Sequence, residues 1–221
     1  MAEDKEVAEP VLLLKTDHGN LVFHPDTHTY YYDNVRIRSV TQIFKDVGLS
    51  DFSMVKPEDM KRAQKFGNAV HAVVTQDINN TLNVPSLDPL LKPYLNGWRM
   101  FCRDRQVKVL GQNEGVVSRT WMYAGTLDTR IMMMKQFHTI IDIKSGAIFK
   151  YTPMQPVAYA MAHNELHPQK KIHHTGVLYL KENTYKYVEP TCKSHTHEIM
   201  QDWIAAVRFR GILQKYNALK K

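Results

Sequence analysis

Three strand-like segments follow one another almost without interruption, at residues 107–118, 121–134 and 137–143, joined near Arg119 and near Lys135-Gln136. Such short joins leave antiparallel pairing as the natural arrangement for neighbouring strands. A helix-like stretch from Pro153 to about Glu165 follows, then strands at 173–181 and 184–189 and a last helix from about His195 to Leu219. Upstream, a helix starts after Pro57 with Glu58 and Asp59 in its first turn, and Phe66, Ala69, Val70, Val73 and Val74 recur at helical spacing. A second spans about Leu87 to Arg105, with Leu90, Leu91, Tyr94, Leu95, Trp98 and Phe101 as its apolar stripe. This order predicts one α/β (α+β) domain, a central mixed β-sheet flanked by helices.

The N-terminal third fits the same plan. Residues 21–37 are β-like, and Asp33-Asn34 sits where a two-residue hairpin turn would. Ser39 is the expected N-cap of a short helix ending near Gly48. Residues 1–10 read as a flexible leader and 11–221 as a single domain with its core at about 57–190.

Composition narrows the function classes. The chain has 221 residues, 43% hydrophobic and 23% charged, which excludes wholesale disorder and fibrous folds. No apolar run approaches the roughly 20 residues of a membrane span, and the acidic opening stretch does not read as a secretory signal. Only Cys102 and Cys192 are present, so a four-cysteine iron–sulfur or zinc site is ruled out and a reducing, cytoplasmic setting (host cytoplasm if viral) is expected. The 29 Lys+Arg against 22 Asp+Glu give +7, which favours an anionic partner, nucleic acid ahead of a membrane surface.

Chemistry concentrates in Ile140-Ile-Asp-Ile-Lys-Ser-Gly146. In a strand, Asp142 and Lys144 project to one face while Ile141 and Ile143 go to the other. An acid and a base at the end of an apolar strand are expensive unless paired or bound to a metal. The triplet alone is cheap, as Asp59-Met60-Lys61 on a helix illustrates. Asp128 strengthens it: it lies one hairpin away, and antiparallel pairing with a turn or bulge to set the register would bring it near Asp142. Two converging carboxylates repel unless a cation lies between them, and oxygen ligands favour Mg²⁺, with Mn²⁺ as a substitute.

These motifs resemble the PD-(D/E)XK nuclease superfamily, in its RecB-like and phage exonuclease-like branch. The resemblance covers about residues 20–180. It rests on Gly67-Asn-Ala-Val-His71, on Glu114 in the first core strand, on Gly125-Thr-Leu-Asp128, on Asp142-Ile-Lys144 and on Gln155-Pro-Val-Ala-Tyr159, in that order. Phe23-His-Pro-Asp-Thr-His-Thr-Tyr30 and Ser39-Val-Thr-Gln-Ile43 resemble the N-terminal hairpin and helix of phage members. The resemblance implies a restriction-endonuclease-like core and a Mg²⁺-dependent deoxyribonuclease, an exonuclease of phage recombination, replication or DNA processing. It implies Asp128, Asp142, Lys144 and Glu114 as catalytic residues. His71, Asp128, Asp142 and the backbone carbonyl of Ile143 would hold the metal, and Gln155, Tyr159 and Ser145 would meet the substrate. DNA is the implied partner, with a single-strand annealing or replication protein and a homo-oligomer as further expectations and no membrane. Relatives with an iron–sulfur cluster use four cysteines, so the resemblance points to the cluster-free branch. Two alternatives stand beside it: a structure-specific or nicking endonuclease, and a catalytically silent nucleic-acid-binding or anti-defence protein on the same fold.

Other features carry less. His163 and His167 are four apart on a helix and His195-x-His197 is a close pair, but no third ligand stands at zinc-site spacing. The Met132-Met-Met134 run is expected in the core. The last helix is expected to turn Trp203, Ile204, Val207, Ile212 and Leu213 inward. That leaves Lys193, Arg208, Arg210, Lys215, Lys220 and Lys221 as a basic rim.

Overall fold

The computed structural model describes residues 11–16 (backbone only), 19–190 and 193–216, so the leader, Cys192, Lys220 and Lys221 lie outside the described residues. Nine strands and five α-helices follow in the order β1 (Val11–Thr16), β2 (Gly19–His24), β3 (Thr29–Tyr32), β4 (Val35–Ser39), α1 (Val40–Asp46), α2 (Pro57–Ile78), α3 (Lys92–Asp104), β5 (Lys108–Ser118), β6 (Tyr123–Met133), β7 (Phe137–Lys144), α4 (Met154–Leu166), β8 (His174–Lys181), β9 (Thr184–Val188) and α5 (Lys193–Lys215). The strands form one mixed sheet in the order β1-β2-β3-β4-β6-β7-β8-β9, with β5 paired to β6. The α+β class and the five core strands agree with the sequence reading. β1, which pairs antiparallel with β2, was not anticipated.

Local chemistry explains the boundaries. Asp33 and Asn34 both have positive φ (47° and 64°), as a two-residue hairpin turn between β3 and β4 requires. Ser39 caps α1 in a full capping box: its hydroxyl accepts the Gln42 N–H at 3.1 Å and Gln42 Oε1 accepts the Ser39 N–H at 3.1 Å. Such a cap is worth about 1 kcal/mol. Pro93 stands in the first turn of α3, so that helix begins at Lys92 rather than Leu87, and Leu90 is 70% exposed instead of lining its stripe.

Helices cover both faces of the sheet. On one side, Val70, Val73 and Val74 of α2 and Leu95, Trp98 and Phe101 of α3 pack on Ile131, Ile141, Ile143, Leu178 and Leu180. On the other, Ala158 and Tyr159 of α4, Ile43 and Phe44 of α1 and Trp203 of α5 pack on Tyr123, Leu127 and Ile140. Two expectations about the core need correcting. Only Met133 of the methionine run is buried. Met134 sits in the β6–β7 turn with φ 48° and is 45% exposed, because the strand has already ended. Ile212 is 53% exposed, since α5 runs past the core in its last turns, while the Arg210 side chain turns inward to within 3.5 Å of Asp46. No helix among the described residues is long and apolar enough to cross a membrane.

One discontinuity positions the candidate site. β6 pairs with β5 along one edge; its other edge pairs parallel with β4 at Tyr123 and Ala124 and antiparallel with β7 from Thr129 to Met133. Between those stretches, Gly125, Thr126 and Leu127 have ladder partners on β5 alone and Asp128 has none. The sheet is notched there, and backbone and side chains at the notch open to a cleft.

Candidate active site

Asp128 is the last residue of the notch. Extending the Thr129↔Ile141 register by one residue sets it across from Asp142. The two strands part at this point: the Asp128 carboxylate takes the Ile143 backbone N–H at 2.7 Å, a side chain replacing a ladder bond. On the far side of β6, Asn113 (φ 51°) lies unpaired in the ladder between the Gln112↔Thr129 and Glu114↔Leu127 pairs. Asparagine tolerates that conformation better than most residues.

Asp142 has no solvent exposure. The Lys144 ammonium approaches its Oδ2 to 2.7 Å, yet neither carboxylate oxygen has a well-aligned hydrogen bond. Burial pushes the Asp142 carboxyl up to about 6; Lys144 opposes the shift and the Asp128 charge adds to it. Burial alone would lower the Lys144 ammonium, but the two carboxylates outweigh it and its pKa is raised. As expected from strand alternation, Ile141 and Ile143 point away from this pair into the α2–α3 core.

His71, on α2, brings Nδ1 to 3.8 Å from Asp128 Oδ2. One turn earlier on α2, a Cβ added at Gly67 would stand 3.8 Å from the Ser145 hydroxyl, so this helix passes close to the end of β7. From the α4 side, Gln155 Nε2 donates to the Tyr159 hydroxyl at 3.0 Å. Tyr159 packs on Gly125 so closely that a Cβ there would lie 2.5 Å from its ring. Burial raises the Tyr159 phenol well above its usual range, and the Asp142 and Asp128 charges add to the shift.

His71, Asp128, Lys144, Gln155 and Tyr159 line a cleft of about 590 Å³ together with Gly125 and Thr126, while the fully buried Asp142 lies beneath Lys144, outside that lining, as does Ile143. The N-terminal hairpin forms one wall, a role the sequence did not assign to it. Phe23, His28 and Tyr30 face the cleft, and Tyr30 shares a 2.9 Å hydrogen bond with Thr126. The signal was present in the aromatic and histidine content of residues 23–30, but nothing in it specified where the hairpin would fold.

Two further sequence-derived candidates also lie outside the lining. Glu114 does not line this cleft. It makes a double ion pair with Arg130 (2.6 and 2.8 Å) and borders a larger cavity of about 870 Å³ with His163 and His167. Ser145 lies half-buried at the end of β7 beside Gly67, not in the cleft lining. The decoy triplet Asp59-Met60-Lys61 is on the exposed first turns of α2, with Asp59 engaged by Arg62 at 2.9 Å.

No protein-family model matches this chain, and no curated protein matches it.

The residues themselves decide what the notch can hold. Among the described residues, no three His, Cys, Asp or Glu side chains are gathered tightly enough to bind a metal unaided. What the notch offers is two carboxylates, one of them buried with oxygens short of hydrogen bonds, and an imidazole behind the other. That donor set is wrong for a closed tetrahedral zinc site. It suits Mg²⁺, which keeps several waters and is usually held by one or two carboxylates plus substrate phosphates.

Proposed function

We propose that this chain is a metal-dependent nuclease that hydrolyses phosphodiester bonds in DNA, with Asp128, Asp142 and Lys144 at its reacting centre. The observation that carries the reading is the convergence of two carboxylates and an ammonium at a notch in the sheet that opens on a cleft. The order of elements supports it too. His71 on α2, Asp128 on β6, Asp142 and Lys144 on β7, and Gln155 and Tyr159 on α4 follow the succession that the resemblance to PD-(D/E)XK nucleases implies. The surplus of +7 favours a polyanionic substrate.

Asp128 and Asp142 would hold Mg²⁺, with His71 behind Asp128. When bound, the ion supplies Lewis-acid polarisation of a phosphoryl oxygen and lowers the pKa of a water. The Lys144 ammonium, 2.7 Å from Asp142, is placed to orient a water and to neutralise charge developing on the phosphate oxygens. Water adds to phosphorus, one ester P–O bond breaks, and the departing oxygen takes a proton. The Ile143 N–H fixes the Asp128 carboxylate, so it need not reorganise during the reaction. Gln155 and Tyr159, one helical turn apart and bonded to each other, buttress the cleft on the α4 side. Action from a DNA end is the form we favour.

The test is Mg²⁺-dependent digestion of linear duplex and single strands labelled at one end or the other. Lys144→Ala should abolish cleavage with the fold intact, and undiminished cleavage by that variant would overturn the reading. Digestion of covalently closed circles separates an endonuclease from an exonuclease.

A further inference from the structure

A string of aromatic rings runs from the core to the surface next to the catalytic strand. Trp203, fully buried, contacts Phe44 at 5.6 Å between centroids, and Phe44 contacts Tyr151 at 5.2 Å. Tyr151 stacks on Phe149 at 5.7 Å with 22° between planes, and Phe149 meets Phe52 edge-on at 5.7 Å. The inner rings anchor the string. The outer two are open, with Phe149 40% and Phe52 36% exposed. Ile148, Val55 and Met54, neighbours of these rings in the chain, are 47%, 42% and 96% exposed. Exposed apolar residues clustered about a pair of touching rings mark a candidate interaction site on a folded domain.

Its position ties it to the cleft. Phe149 and Tyr151 are on the loop that leaves β7 immediately after Lys144, and the Lys144 charge is felt at the Tyr151 phenol. Phe52 is on the segment leading into α2, the helix that carries His71. Every residue from Asp51 to Lys65 is exposed, including the first nine of α2, so no face of this arm is buried in the domain. The charge of the surroundings selects the partner. Lys56, Lys61, Lys65 and Lys150 are exposed among the apolar residues; Arg62 is engaged by Asp59, so these four lysines face only Asp51 and Glu58 and the arm keeps a positive surplus. Aromatic rings among cations suit a strand whose bases have π-faces and whose backbone is anionic. A purely apolar protein partner would leave those cations unanswered.

We propose that Phe52 and Phe149, backed by Tyr151, form a stacking platform for unpaired nucleobases of the strand that enters or leaves the catalytic cleft. The inference rests on the nuclease reading for its choice of partner, and it adds what that reading leaves open, a requirement for unpaired substrate beside the site. Paired bases keep their faces against one another and have none to offer these rings.

The experiment is a fluorescence-anisotropy titration in EDTA, so that no cleavage occurs. The probes are a labelled 20-mer of thymidine, the same strand with abasic residues, and a duplex of equal length. The proteins are the wild-type chain and the Phe52→Ala/Phe149→Ala variant, with Phe52→Trp/Phe149→Trp as the conservative control. Loss of stacking should weaken 20-mer binding by roughly tenfold or more. The Trp variant should bind like wild type, and the abasic strand should bind wild type as weakly as the 20-mer binds the Ala variant. Duplex affinity should not change. Both altered side chains are surface-exposed, and an unchanged thermal melt verifies the fold.

Equal binding of the 20-mer by wild type and the Ala variant overturns the platform, as does an equal loss for 20-mer and duplex. A concentration-dependent dimer that the Ala variant abolishes, with DNA binding unaltered, overturns it in favour of an interface between copies of this chain. A parallel Mg²⁺ assay separates this from the nuclease reading. Ring-dependent 20-mer binding without cleavage supports the platform and removes the nuclease. Cleavage by a protein whose 20-mer affinity ignores both rings removes the platform alone.

Discussion

The Asp128 carboxylate accepts the Ile143 backbone N–H at 2.7 Å, and that bond joins β6 to β7 where their ladder stops. It turns a break in the sheet into a defined site. The parting of the strands leaves room for ligands, and the bond keeps the two acid-bearing strands in fixed relation.

Asp128→Ala should therefore be a structural as well as a chemical lesion. It strands the Ile143 N–H, and a hydrogen bond to a charged acceptor is worth about 1.5–3 kcal/mol. Asp128→Asn keeps an acceptor oxygen at the same reach and should retain most of that stability while losing nuclease activity. Urea melts of the two variants check this. Equal destabilisation would mean that the bond contributes little.

The Asp142–Lys144 pair should show strong coupling. Lys144→Met leaves a fully buried carboxylate without its partner and should cost about 2 kcal/mol. That figure is below the usual range for breaking a buried pair because the Lys144 side chain is 32% exposed. Adding Asp142→Asn removes the orphaned charge, so the double variant should be more stable than Lys144→Met alone. A denaturant double-mutant cycle measures the difference, and simple additivity would contradict it.

The strand and helix succession was legible because each segment has a clean period. Val70, Val73 and Val74 mark a helix face, and alternation along 140–144 places Ile141 and Ile143 opposite Asp142 and Lys144. Those regularities are local. The meeting of Asp128 with Asp142 was legible only as a conditional, since it depends on where the ladder ends, and a backbone N–H taken by a carboxylate leaves no trace in residue type. Glu114 lies on the first core strand as expected, but its partner was not legible for a related reason. The two hydrogen bonds that Arg130 donates to it link residues sixteen apart across a hairpin, and no spacing rule picks Arg130 over a metal as the partner. The hairpin wall of the cleft and the exposed arm before α2 depend on long-range packing. Tyr30 belongs to a segment whose resemblance to an N-terminal hairpin says nothing of a cleft wall, and Phe52 falls in no motif.

Gly125 should tolerate no side chain while Tyr159 is present. A Cβ there would lie 2.5 Å from the ring, and Tyr159 is 4% exposed, with little freedom to retreat. Gly125→Ala should cost about 1–3 kcal/mol, the usual range for overpacking. It should also shift the Gln155–Tyr159 pair. Tyr159→Leu makes room, so the penalty of Gly125→Ala should shrink in that background. A penalty of the same size in both backgrounds would show that the clash is relieved elsewhere.

Cys102 should be inert toward alkylation in the native protein. Burial, reinforced by the Asp77 charge, pushes its thiol up to about 12, so at pH 8 the reactive thiolate is scarce and poorly accessible. The sign of the linkage follows. Below about pH 7.5 the thiol is protonated in both folded and unfolded chains and adds no pH dependence. Above that, the unfolded chain sheds its proton first, so this thiol makes native stability fall as pH rises toward 12. Iodoacetamide at pH 8 followed by peptide mapping should leave Cys102 unmodified until denaturant is added. Labelling of Cys102 in the native protein, at the rate seen in the unfolded chain, would show that α3 opens on the timescale of the reaction and that its contact with the sheet is looser than the packing implies.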